Sequence, residues 1–170
     1  MSTQEENTPA DTDNSGGPPR EQPDHHAGLW SALVQRVDDL TDAVRSGHDD
    51  RPARRTLVNF LRGDVLAHLE SEEQVLYGAV RDAGAPGLVA ALELDHRCLL
   101  NLVDQIEKAD TALEAALSSR ALVVLIMLRI QKEDTIILPT LQEAGADVSD
   151  LLDRTVVRMA TDYGSRFTYF

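Results

Sequence analysis

The sequence predicts an all-α chain folded as an up-down four-helix bundle, and three observations carry that prediction. Apolar residues return every three or four positions through four long stretches, which is the period of a helix and not the alternation of a strand. Aromatic residues make up only 4% of the chain within a hydrophobic content of 42%, a balance poor in strand-favouring types. The connections between the periodic stretches are short, which makes successive helices antiparallel neighbours. For 170 residues the expected count is one domain.

Residues 1–23 are rich in Ser, Thr, Asn, Pro, Gly and acidic side chains. Such a stretch cannot bury enough apolar surface to offset the entropy of ordering, so a disordered tail is expected. The first helix is predicted from Asp24, with His26, Leu29, Trp30, Leu33, Val37, Leu40 and Val44 on one stripe, and it ends at Ser46-Gly47, where glycine supplies a left-handed cap. The second starts at Pro52 and runs through Leu57, Leu61, Val65, His68, Glu72, Val75 and Ala79 to the stop AGAPG at Gly84. The third, from Leu88 to Ala109, lines up Leu92, His96, Leu99, Val103 and Ile106. A short connector, helical in part, is expected over Asp110 to Ser119. The fourth helix then presents Leu122, Ile126, Arg129, Glu133, Ile136, Ile137 and Leu141 before Ala144-Gly145, with Pro139 predicting a kink or break near its end. A shorter amphipathic segment with Val148, Leu151, Leu152, Val156 and Met159 predicts a C-terminal accessory helix on the bundle. The expected organisation is a tail over 1–23, a bundle over 24–144 and an accessory segment over 145–170.

A formal net charge of −13 opposes binding to nucleic acid or an anionic membrane, since both need a basic face to displace counterions. Six acidic residues and Arg20 lie in the first 24 positions, leaving −8 for the remainder. Cys98 is the only cysteine, which excludes an internal disulfide and fits a reducing cytosol. The start MSTQEENTPADTDNSGG has neither the basic nor the apolar region of a secretory leader, and the most apolar run, Ala121 to Leu128, is stopped by Arg129. A soluble, cytoplasmic protein is expected.

Polar residues in apolar rows are the chemical signal. His26, His68, Glu72, His96 and Glu133 fall on the stripes of four successive helices, and only His25 and His48 among the five histidines fall elsewhere. Any one of them reads equally as a hydrogen-bonded core or rim group. Together they demand compensation, because burying several unpaired acids and imidazoles is costly. Imidazole and carboxylate together suit iron, and His68 and Glu72, four apart, point the same way from one helix.

The strings HLESEEQVLYGAV and RIQKEDTIILPTL resemble the paired segments of the hemerythrin-like (HHE) cation-binding family, in which His, three residues and Glu precede an apolar stretch and often Pro. His26 in PDHHAGLW and His96 in LELDHRCLL are similar to the family's first- and third-helix histidines. The resemblance covers residues 24 to 144. It implies a non-haem iron site, mononuclear or dinuclear, with His26, His68, Glu72, His96 and Glu133 as ligands. One position departs from the pattern: four residues before Glu133 stands Arg129, which stays protonated and is not a normal metal ligand. Three readings follow: one ion, two ions with the second borrowing Glu93 or water, or a degenerate metal-free bundle in which Arg129 pairs with Glu133.

The resemblance further implies binding of, or reaction with, dioxygen, nitric oxide or peroxide, in sensing, storage or redox turnover. Two other classes remain beside it: a metal-free interaction module, and a small-molecule iron oxygenase or oxidase. His48 is expected in a solvated loop, Glu70 and Glu73 on a solvated face with Glu73 able to orient a ligand, and Cys98 as a small buried hydrophobe. Trp30, Tyr77 and the segment Tyr163 to Phe170 are expected to serve packing.

Overall fold

Three glycines, Gly47, Gly84 and Gly145, are the residues with left-handed φ among those described, at 66°, 82° and 81°, and each closes a helix. After each helix the backbone N–H beyond the glycine reaches back five residues: His48 to Ala43, Ala85 to Val80 and Ala146 to Leu141, at 2.9, 3.1 and 2.9 Å. This bonding pattern satisfies the last carbonyls of a helix and needs a residue without Cβ strain at the turn. The computed structural model describes residues 26–166, with side chains to residue 161. The expected tail at 1–23, His25 and the side chains of the cluster Tyr163 to Phe170 lie outside what is described.

The elements between these stops are all helical: α1 Ala27–Arg45, α2 Arg51–Phe60, α3 Leu66–Asp82, α4 Pro86–Lys108, α5 Ala112–Lys132, α6 Leu138–Glu143 and α7 Val148–Arg166. A π-helical turn at Leu61–Val65 joins α2 to α3, and a second at Glu133–Ile137 joins α5 to α6, so each trio makes one continuous rod. The bundle therefore has four rods, with α1 against α2 and α5, α2 and α3 against α4, and α4 along α5. The additional α7 packs on α3 and α6.

The π turns answer to the sequence. Buried positions step by four through Leu57, Leu61, Val65 and Leu69, and again through Glu133, Ile137 and Leu141. Repeated steps of four drift around an α-helix of 3.6 residues per turn, and a wider turn bonded five residues back absorbs the drift. Leu66 N–H accordingly reaches Leu61 O and Leu138 N–H reaches Glu133 O. The second turn also precedes Pro139, which has no N–H to give to a regular ladder. The rod passes Pro139 through this widened turn without breaking, and Ile136, predicted on the inward stripe, is turned out to 45% exposure.

Three further expectations change. The connector predicted over Asp110 to Ser119 is mostly helix, because Thr111 and Glu114 cap each other's backbone N–H groups and start α5 at Ala112. Cys98, predicted to be buried, is exposed, and so is Val156 on the accessory helix.

The core lies in two parts. One cluster includes Leu33, Val37, Leu40, Leu57, Leu61, Leu69, Leu99, Val103, Leu122 and Ile126. The other includes Val75, Leu76, Val80, Val89, Leu92, Ile137, Leu141, Val148 and Leu151. Along α3, α4 and the α5 rod, the residues that separate the two are His68 and Glu72, His96, and Arg129 and Glu133. α1 feeds only the first cluster and α7 only the second, so a polar layer crosses the bundle between them.

Candidate metal centre

His26 stands at the N-cap of α1, where its carbonyl accepts the Trp30 N–H at 2.8 Å and its ring is carried inward. His68 and Glu72 follow one turn apart on α3, and Arg129 and Glu133 one turn apart at the junction of α5 with the second π turn. All five are buried, none more than 5% exposed. Their convergence is close. His26 Nε2 lies 3.2 Å from Glu72 Oε1 and 3.6 Å from Glu133 Oε2. His68 Nε2 lies 2.6 Å from the same Glu72 Oε1, and the two imidazole rings meet edge to face with centroids 5.2 Å apart.

Glu72 divides its oxygens. Oε1 faces the two imidazoles, while Oε2 accepts from Arg129 Nη2 at 3.4 Å. Burial pushes the Glu72 carboxyl up, but hydrogen bonds with His26 and His68 and the charges of His68 and Arg129 outweigh it and hold the group well below the usual carboxylate range. Arg129 Nη1 also donates to the Tyr77 hydroxyl at 3.2 Å, and Tyr77 donates to Glu73 Oε1 at 3.1 Å. His96 Nδ1 lies 2.6 Å from that same Glu73 oxygen. Desolvation raises the Glu73 carboxyl, and His96, Arg129 and Tyr77 together outweigh it, leaving the group below its ordinary value. The Tyr77 phenol is pushed well above its ordinary range, chiefly by burial.

Of the sequence-predicted ligands, the structure thus gathers His26, His68 and Glu72, whose ligand atoms all lie within 4.8 Å of one another, a set able to hold a metal ion. Glu133 stands beside His26. His96 is placed on Glu73, at the far end of the chain of contacts through Tyr77 and Arg129. Glu93, predicted as a substitute ligand, is instead paired with Arg81 at the surface at 2.9 Å. Arg129, paired with Glu133 in one of the three sequence readings, reaches Glu72 and Tyr77.

The donor set suits a cation on chemical and spatial grounds. Donors bound to one ion at about 2.0–2.2 Å stand roughly 3 Å apart, and Glu72 Oε1 lies 3.2 and 2.6 Å from the His26 and His68 nitrogens. An enclosed cavity of about 10 Å³ lies among His26, His68, Glu72, Arg129 and Glu133, walled otherwise by Leu29, Val65, Leu69, Ile126 and Ile130. That space holds about one water-sized sphere. A family model described as the hemerythrin HHE cation-binding domain matches residues 24–141.

The chain belongs to the hemerythrin HHE family.

No curated protein and no solved structure matches the chain significantly. The matched family is described as cation-binding, the chain carries a His/Glu cluster able to hold a metal ion, and α7 lies beyond the matched stretch. Among the described residues, no helix is long and apolar enough to cross a membrane.

Sequence reasoning missed two residues of this HHE centre. Tyr77, expected to serve packing, links Arg129 to Glu73; its spacing four residues after Glu73 was the available signal. Met159, read only as an apolar position, lies with its sulfur 3.1 Å from His68 Nδ1, and nothing local in the sequence points there.

Proposed function

We propose that this HHE domain binds one non-haem iron ion through His26, His68 and Glu72, with Glu133 beside them. The iron would bind or react with a small ligand of the dioxygen, nitric oxide or peroxide class. The observation that carries the reading is the divided carboxylate of Glu72, with one oxygen on the imidazole pair and the other on a buried guanidinium. An arginine is always protonated, so the cation on the far side of Glu72 is Arg129 and a single metal position is left. Imidazole with carboxylate is a donor set that iron accepts.

Bound iron supplies a one-electron couple and open coordination positions for a small ligand. The protein does the rest. Leu29, Val65, Leu69, Ile126 and Ile130 keep bulk water from the centre. Arg129 neutralises Glu72 and presents a fixed positive charge to a ligand that becomes anionic. Tyr77 and Glu73 hold the guanidinium from behind.

Size supports a small ligand over a larger organic substrate. The cavity next to the enclosed one, sharing His26 and Ile130 with it and lined also by Trp30, Met127 and Gln131, is about 160 Å³. Pockets for drug-sized ligands run to roughly 300–1,000 Å³. The clefts of that size, about 530, 580 and 300 Å³, lie among Asn101, Gln105 and Ser118, between Gln74 and Arg154, and among Arg51, Arg55 and Asn59, and none of the centre's residues lines them. A reducing cytoplasm suits both ferrous iron and the exposed Cys98.

The test is anaerobic reconstitution with ferrous iron, followed by nitric oxide or air. An optical and electron-paramagnetic change in the wild type that is absent from His68→Ala is expected. A wild-type chain that retains no iron would instead favour a metal-free interaction module.

A further inference from the structure

Beyond the stretch matched by the family model, α7 sends one side chain to the polar layer. Its inward face runs through Val148, Leu151 and Thr155, at 4%, 8% and 2% exposure, and one turn further along that face stands Met159. Met159 Sδ is 3.1 Å from His68 Nδ1, the ring nitrogen opposite the one that faces Glu72. The two residues are 91 positions apart in the chain.

We infer that Met159 is a positioning residue for the metal centre, and that the functional unit therefore includes α7. The inference rests on the ligand reading given above. With Nε2 on an ion, a neutral imidazole carries its remaining proton on Nδ1, and a buried N–H needs an acceptor. Histidine ligands usually give this proton to a carboxylate, a carbonyl or water, which fixes the ring and its tautomer. Here the group facing Nδ1 is a thioether, which would accept that proton once Nε2 is on the ion. Sulfur is a weak acceptor without charge, so it sets the ring's orientation while adding no further anion to a layer that already holds Glu72, Glu73 and Glu133. Docking of α7 on α3 and α6 is thereby tied to the geometry of His68.

The experiment compares the full chain with Met159→Leu and Met159→Gln, using zinc as the probe. Leu keeps the apolar bulk and removes the acceptor, whereas Gln restores an acceptor in the same space. Zinc affinity should fall by about ten- to hundred-fold in Met159→Leu and return in Met159→Gln, with helix content the same in all three. In the zinc-loaded protein the His68 Nδ1 proton should exchange slowly in wild type and Met159→Gln and faster in Met159→Leu. Wild-type zinc binding that both substitutions leave unchanged, or a loss in Met159→Leu that Met159→Gln fails to recover, overturns the role of Met159 alone. A wild-type chain that binds no zinc overturns the ligand reading and this inference with it.

Discussion

A guanidinium at 3% exposure in a helical bundle has to be compensated, and Arg129 is held by Glu72 and Tyr77 on a neighbouring rod. The charge of Glu72 raises the affinity of Arg129 for its proton against the opposing effect of burial. Removing one member of a buried pair strands the other in a low dielectric, so Arg129→Met should destabilise the metal-free protein by about 3–5 kcal/mol, read by equilibrium unfolding. Arg129→His tests the other consequence. It withdraws the resident cation from Glu72 Oε2 and supplies an imidazole four residues before Glu133, so the iron-to-protein ratio should rise above that of wild type. An unchanged ratio would mean that Arg129 does not stand in a second metal position. The sequence could flag Arg129 because it interrupts an apolar row, but its partner lies 57 residues away, and only packing brings Glu72 to it. Spacing along one helix offers Glu133 as a partner in only one of the three sequence readings, and the contact with Glu72 comes from packing between rods. Met159 was illegible for a similar reason, since an apolar residue at an apolar position announces packing and nothing more.

Helices and their ends were readable where local chemistry decides them. The glycines at 47, 84 and 145 mark the three left-handed caps, and the apolar rows of α1 to α5 mark the inward faces. The start of α5 was also written in the sequence, as Thr111 followed three residues later by Glu114. Because the reciprocal cap replaces a solvated connector with an ordered first turn, Thr111→Ala should lower stability by about 0.5–2 kcal/mol without touching metal binding. Chemical denaturation of the variant with and without iron checks both parts. The π turns were less legible. Four-residue steps such as Glu133, Ile137 and Leu141 are compatible with an α-helix over a short span, and the drift they cause shows only when the whole rod is followed. Their placement matters to the site: one lies just before His68, and the other begins at Glu133.

At the scale of the molecule, the bundle sets a charged layer between two apolar clusters. α1 closes one side of that layer with His26, and α7 approaches the other side of His68 with Met159. Each apolar cluster is built without the polar residues, so the fold should survive the loss of an imidazole ligand while the centre does not. The most direct test of this account is an anomalous-scattering map at the iron edge, from crystals of the wild-type chain grown with ferrous iron. One strong peak within bonding distance of His26, His68 and Glu72, with Arg129 still on Glu72, is the expected result. Two peaks, or no peak with the imidazoles still closed on the carboxylate, would contradict it.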